Sequence, residues 1–254
     1  MTSCPKVAVY FLKDPVLKAH IVVAYPELNS YNAHLANLDK QTLEARGWGV
    51  TFSDLYAMGF DPCEKAAHCA DPSNPSRFEV QSEQRHASAN DTIPADVRAE
   101  IDRLAAADLV ILQYPMWWHL PPAILKGWMV VCSSTVKLIK AIFVFKKGQL
   151  VGKKAMISTT VSTSPENYAH DGRSGDIDMM LWPINFSLAY VGFNVLAPHV
   201  AYGTEASLRY SGPQEITNRL KKIELDYVAR LQAIEAEPSL PFNRMEDWGA
   251  DAPY

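Results

Sequence analysis

DLVILQYPMWWHLPPAILKGW, residues 108–128, runs from a strand-like segment through a proline-bounded aromatic stretch into a helix. Leu109, Val110, Ile111 and Leu112 form a short apolar run of the kind that fills a buried strand. Pro115, Pro121 and Pro122 fix φ and remove backbone donors. Regular structure therefore stops until Pro122, the natural first position of a helix through Ile124, Leu125 and Trp128 to about Val131. The stiff loop between carries Tyr114, Met116, Trp117, Trp118 and His119, where a strand ends and open α/β sheets take their ligands. Aromatic and thioether groups there suit a flat, conjugated ligand, with backbone N–H groups left for its heteroatoms. An apolar plug that packs the next helix would use the same residues.

Working outward, four more apolar segments read as strands: His20 to Ala24, Val50 to Phe52, Ala155 to Thr160, and Asn194 to Val200, whose Pro198 implies an edge position or an early end. Helical patterns alternate with them over Ala33 to Arg46 (with Gly47 as C-cap), Pro94 to Ala106, Ile177 to Tyr190 and Gln214 to Ala236. Alternation of this kind predicts the α/β class, with a doubly wound five-stranded parallel sheet and helices on both faces. The polar stretch Cys63 to Asn90 reads as a long excursion that needs a function or a partner. We expect an N-terminal extension over 1–17, one domain over 18–237 and an irregular, proline-bearing tail over 238–254.

The 254 residues suffice for one substantial core, and a net charge of −4 with scattered basic residues argues against a nucleic-acid partner. Apolar runs are broken by Lys or Pro well before the ~18 residues a membrane span requires, so none is expected. Four dispersed cysteines, Cys4, Cys63, Cys69 and Cys132, predict a reduced, cytoplasmic setting rather than a disulfide scaffold. Cys63, His68 and Cys69 lack a fourth ligand and a C-x-x-C spacing, so no metal site is expected.

The turn after the first strand holds Tyr25, Pro26, Asn29, Ser30, Tyr31 and Asn32. Ser30 is a good N-cap, and the helix N-terminus behind it favours a phosphate. A plain capping turn is the alternative, and the absence of a P-loop or G-x-G-x-x-G here disfavours the usual dinucleotide clefts.

PAILKGW at 122–128, KAHIVVAYPELNSYN at 18–32, SDLYAMGFDP at 53–62, and LWPI at 181–184 with VGF at 191–193 give the chain a resemblance. Over about residues 18–247 it resembles the NAD(P)H:quinone oxidoreductase family, of the DT-diaphorase type with its bacterial relatives, including potassium-efflux ancillary proteins. The resemblance implies a flavodoxin-like fold with strand order 2-1-3-4-5. It further implies FAD rather than FMN as cofactor, NAD(P)H as co-substrate, a quinone as acceptor, and a homodimer whose interface takes in the 63–90 excursion. By the same resemblance Ser30, Tyr31 and Asn32 hold the diphosphate, with Tyr25 where the family usually has His. Pro115, Met116, Trp117, Trp118 and His119 form the flavin loop. Thr160, Val161, Ser162 and Thr163 meet the flavin's reactive end, and Tyr168 hydrogen-bonds its edge, since hydride arriving at the ring leaves negative charge that a placed donor stabilises.

Three departures stand out. The family histidine that partners Tyr168 is Ser174 here; His170 is the nearest imidazole, a candidate substitute or a solvated loop residue. Two family glycines after the fourth strand are Ser162 and Thr163, which narrows the approach to the ring. Between Trp128 and Gly148 the family's pocket-lining stretch is replaced at equal length by MVVCSSTVKLIKAIFVFKKG, through a remodelled pocket or a frame error. The expected function is two-electron hydride transfer from NAD(P)H through FAD to a quinone in a ping-pong cycle. The alternatives are a regulatory flavoprotein docked to a transporter and a member with weak flavin binding.

Overall fold

The computed structural model describes residues 16–133, 150–204 and 211–243. The first 15 residues with Cys4, most of the 129–148 departure, and the tail from 244 lie outside the described residues. Six parallel strand segments form one sheet: β1 (Lys18–Val23), β2 (Gly49–Asp54), β3 (Leu109–Pro115), β4 (Lys154–Thr160), β5 (Asn194–Val195) and β6 (His199–Ala201). Their order is β2-β1-β3-β4-β5, and β6 also pairs with β4. The expected fifth strand is thus two pieces. Pro198 lacks the N–H a continuous ladder needs, and the chain resumes pairing one residue later, at Ser158↔His199.

β3 is buried along its whole length, as a central parallel strand covered on both faces must be. Against one face pack α3 (Ala95–Ala106), α4 (Ala123–Ser133) and α5 (Ile177–Tyr190), through Ile101, Leu125, Leu181 and their neighbours. Against the other pack α1 (Tyr31–Ala45) and α6 (Pro213–Gln232), through Leu35, Leu43 and Leu231. Helix α1 ends at Arg46 and turns at Gly47, whose φ of +84° an L side chain would resist. At its other end α6 passes into a short 3₁₀ turn clamped by Lys154, whose Nζ donates to the carbonyls of Ile234, Glu235 and Glu237.

The 63–90 excursion is not structureless. It contains a 3₁₀ turn at Ala66–His68 and a full helix, α2 (Val80–Asn90). Glu79 caps α2 by accepting from the amides of Gln81 and Ser82, and Asp91 closes it in the left-handed conformation. The start of the tail is likewise ordered, with Leu196 and Ser239 in an antiparallel bridge at the sheet's edge and the Leu240 amide donating to the Val195 carbonyl at 2.7 Å.

Candidate functional site

Because β1, β3 and β4 are parallel, the loops that follow them emerge at one edge of the sheet. The first runs from Ala24 to Ser30. Ser30 Oγ accepts from the Ala33 amide at 3.1 Å, and the amides of Tyr31 and Asn32 open the first turn of α1, where no intrahelical acceptor exists. Those two side chains do not face the opening. The Tyr31 hydroxyl donates to the Leu220 carbonyl on α6, and burial, with Glu224 nearby, raises its pKa above the ordinary phenol value. Asn32 is buried and donates to Thr160 Oγ1 at 2.9 Å while accepting from Gln113 Nε2 at 2.8 Å. In this structure these two residues offer a ligand their backbone amides only.

The second loop is a tight reversal. Trp117 and Leu120 exchange both backbone hydrogen bonds, at 2.9 and 3.0 Å, leaving Trp118 and His119 as the two corner residues. Both have positive φ, 49° and 64°, as a type I′ corner demands although neither is glycine or asparagine. The corner turns its rings outward. Trp118 is 92% exposed, Leu120 58% and Trp117 41%, whereas Tyr114 is buried on β3 and Met116 packs against the core that contains Leu125 and Trp128 of α4, so the plug reading describes the start of this stretch and not its corner. Trp117 meets the edge of Tyr25 with ring centroids 5.8 Å apart, which ties the first loop to the second. Met116, Trp117, Trp118, His119 and Tyr168 line an open groove of about 550 Å³.

The third loop leaves β4 at Thr160, which is buried; its carbonyl accepts from the Met116 amide at 3.0 Å. Val161 is buried too, tied by its amide to the Ala201 carbonyl on β6. Ser162 and Thr163 line a second cavity of about 610 Å³, together with Asn167, Arg173, Tyr202 and Arg219. The backbone amides of Trp118, His119, Ser162 and Thr163 donate to no acceptor among the described residues. Further along, the loop closes on itself around Gly172. A Cβ there would lie 2.5 Å from the Asn167 carbonyl oxygen, so glycine is needed for the fold-back that brings Ser174 beside Tyr168. Burial raises the Tyr168 pKa, and the adjacent Ser174 hydroxyl pulls it partly back. Tyr168 also packs against Tyr202, centroids 6.2 Å apart, so the two rings form the partition between groove and cavity. His170 does not reach either: it is 86% exposed and its Nδ1 lies 3.1 Å from Asp176 Oδ2.

A family model described as flavodoxin-like fold matches residues 18–224. The mouse ribosyldihydronicotinamide dehydrogenase [quinone] is 38% identical over 194 residues, 75% of this chain and 83% of that protein. The chain belongs to the flavodoxin-like quinone oxidoreductase family. A second member, rat NAD(P)H dehydrogenase [quinone] 1, is 35% identical over 189 residues, 74% of this chain and 69% of its own. The solved structure of a Klebsiella pneumoniae protein assigned as a quinone reductase superposes with a TM-score of 0.82 at 29% identity, covering 92% of both chains. Tyr25, Ser30, Met116 to His119 and Tyr168 all lie in loops at this one edge of the sheet. Sequence reasoning passed over Gln113, Tyr202, Arg173 and Arg219. Only Gln113 carried a signal, as a polar residue closing an otherwise apolar strand.

Proposed function

We propose that this protein is a flavin-dependent NAD(P)H:quinone oxidoreductase that binds FAD in preference to FMN and works by two-electron, ping-pong hydride transfer. The observation that carries the proposal is the convergence of three loops on one aromatic groove whose flanking amides are unpaired. Trp117, Trp118 and Met116 offer a flat apolar face, the size and shape a conjugated ring requires. The amides of Trp118, His119, Ser162 and Thr163 supply donors for ring heteroatoms, and those of Tyr31 and Asn32 with the α1 dipole supply a phosphate seat. When bound, the flavin supplies the hydride-accepting and hydride-donating chemistry. Tyr168 holds its phenolic proton at the groove wall, where it can stabilise developing negative charge. His170 takes no part, since it points at Asp176 and lines no part of the groove.

The preference for FAD is supported by the neighbouring 610 Å³ cavity with its two guanidinium groups, room and charge for the nucleotide half that FMN lacks. One groove must serve nicotinamide and quinone in turn, which is the basis for the ping-pong order. The proposal extends to a cytoplasmic homodimer. Leu120 leaves apolar surface exposed beside the groove. No helix among the described residues is long and apolar enough to cross a membrane.

Titration of the purified protein with FAD and with FMN, read by tryptophan quenching and by the visible flavin band, tests the cofactor. Tighter FAD is expected; no uptake of either at tens of micromolar removes the proposal. Steady-state NAD(P)H and quinone rates should give parallel double-reciprocal lines, and intersecting lines would refute the single-groove order. Sedimentation should report about twice the chain mass.

A further inference from the structure

Strand alternation puts an apolar residue where Gln113 stands. On β3, Leu109 and Ile111 face the α1–α6 side, and Gln113 continues that row; on β4, Met156 leads the corresponding row to Thr160. Gln113, Asn32 and Thr160 are 0%, 6% and 5% exposed, yet each is polar. They form a directed chain: Gln113 Nε2 donates to Asn32 Oδ1 at 2.8 Å, and Asn32 Nδ2 donates to Thr160 Oγ1 at 2.9 Å. Each belongs to a different wall of the site. Asn32 lies in the first turn of α1, after the β1 loop; Gln113 ends the regular part of β3; Thr160 is the last residue of β4. Two backbone bonds reinforce the same links, from the Ala24 amide to the Gln113 carbonyl and from the Met116 amide to the Thr160 carbonyl, both 3.0 Å.

We infer that Gln113 is a positioning residue, which through Asn32 and Thr160 locks the loops after β1, β3 and β4 into one preformed arrangement. It touches no ligand itself. Stability alone does not favour this polar trio, because Gln113 Oε1 is buried without a partner, a cost that an apolar trio of similar volume would avoid. What glutamine provides is a link between elements far apart in sequence. A ligand that contacts all three loops then spends little of its binding energy on ordering them. The identity of that ligand rests on the flavin proposal above, whereas the coupling of the three loops does not.

Hydrogen exchange of the ligand-free protein tests the coupling directly. In Gln113→Leu, the hydrogen-bonded loop amides of Ala24, Asn29 and Ser30, of Met116, Trp117 and Leu120, and of Val161 should lose protection together by about tenfold, while β1 and β3 stay protected. Exchange that rises in one loop alone, or not at all, overturns the inference. FAD titration adds a second readout, with the Kd expected to rise about 10- to 100-fold. The triple variant Gln113→Leu/Asn32→Leu/Thr160→Val separates positioning from support. Removing all three polar partners should restore the melting temperature toward wild type, yet the loops should still exchange fast and FAD should still bind weakly. Recovery of loop protection and affinity along with stability would show a merely structural role and sink the inference. Failure of the wild type to bind FAD would remove the flavin proposal and leave the exchange result to decide the coupling.

Discussion

Replacing Asp39 with asparagine should make the protein more stable in alkaline solution and leave it unchanged in mild acid. Asp39 lies on α1, fully buried, and its carboxyl oxygens have no aligned hydrogen-bond partner. Around it stand Tyr227 and Arg230 of α6, Ser158 of β4, and His199 of β6, whose ring stacks on Tyr227 at 3.9 Å. Burial pushes the Asp39 carboxyl up to about 8, with the Tyr227 hydroxyl pulling only partly the other way. The folded state therefore holds a proton that the unfolded chain releases near pH 4. The stability from this group is complete below the unfolded pKa and is lost progressively as pH rises toward the folded one. At 1.36 kcal/mol per unit, the loss from pH 5 to pH 8 is on the order of 4 kcal/mol. None of the neighbours mimics this trend. His199 is pushed down to about 4 by burial and by Arg230, so it is neutral across the window, and the Tyr227 pKa is raised by burial. Urea unfolding of Asp39→Asn and wild type at pH 4, 6 and 8 should show curves that converge toward pH 4 and diverge above it. At pH 8 the variant's melting point should be higher by about 10 °C. Parallel pH profiles for the two proteins would refute the reasoning.

Trp118→Ala should leave the ligand-free melting point within a degree or two, because the ring is 92% exposed, yet weaken FAD by about 1–3 kcal/mol if the flavin stacks on it. An FAD affinity unchanged within error would end that assignment. Tyr168→Phe should slow flavin reduction in stopped flow by about 10-fold or more, and Ser174→His should speed it, since Ser174 already sits beside the phenol; no effect from either would remove the third loop from the reactive end. His170→Ala should change nothing, its imidazole being paired to Asp176 in solvent. His119→Gly should stabilise the ligand-free protein by about 1 kcal/mol by relieving a left-handed residue, read as a shift in denaturation midpoint; destabilisation would mean the imidazole has a contact of its own.

The sheet and the places where β1, β3 and β4 give way to loops were legible because proline positions and short apolar runs leave few alternatives: Pro115, Pro121 and Pro122 bracket the aromatic corner, and Ile177 to Tyr190 is a helix with the bounds its pattern implies. What escaped reading lacked apolar periodicity. Helix α2, VQSEQRHASAN, buries only Glu83, which is held by the Ser73 amide and hydroxyl, so its cause is a polar tether and two caps rather than an apolar stripe. Positive φ at Trp118 and His119 had no glycine or asparagine to announce it. Asn32 reads as a surface residue of a helix start, and Asp39 as one of a helix middle, because burial of a polar group depends on what the other elements bring to it. His170 is near Tyr168 in sequence, but the Gly172 fold-back turns Ser174 toward the phenol in its place.

β4 is the hub of this sheet, bonded to β3 on one side and to β5 and β6 on the other, and that arrangement bears on how the chain is made. β3 ends at Pro115 and β4 begins at Lys154, so a mainly apolar central strand is synthesised with one edge unfilled while about forty more residues are added. At 5–20 residues per second that interval lasts roughly 2–8 s, long compared with the microseconds in which apolar chains collapse. During it the exposed edge of Leu109 to Tyr114 is an open template for pairing with another nascent chain. The yield of folded protein should therefore depend on translation rate through residues 116–153 and on chaperone supply, more than on the stability of the finished fold.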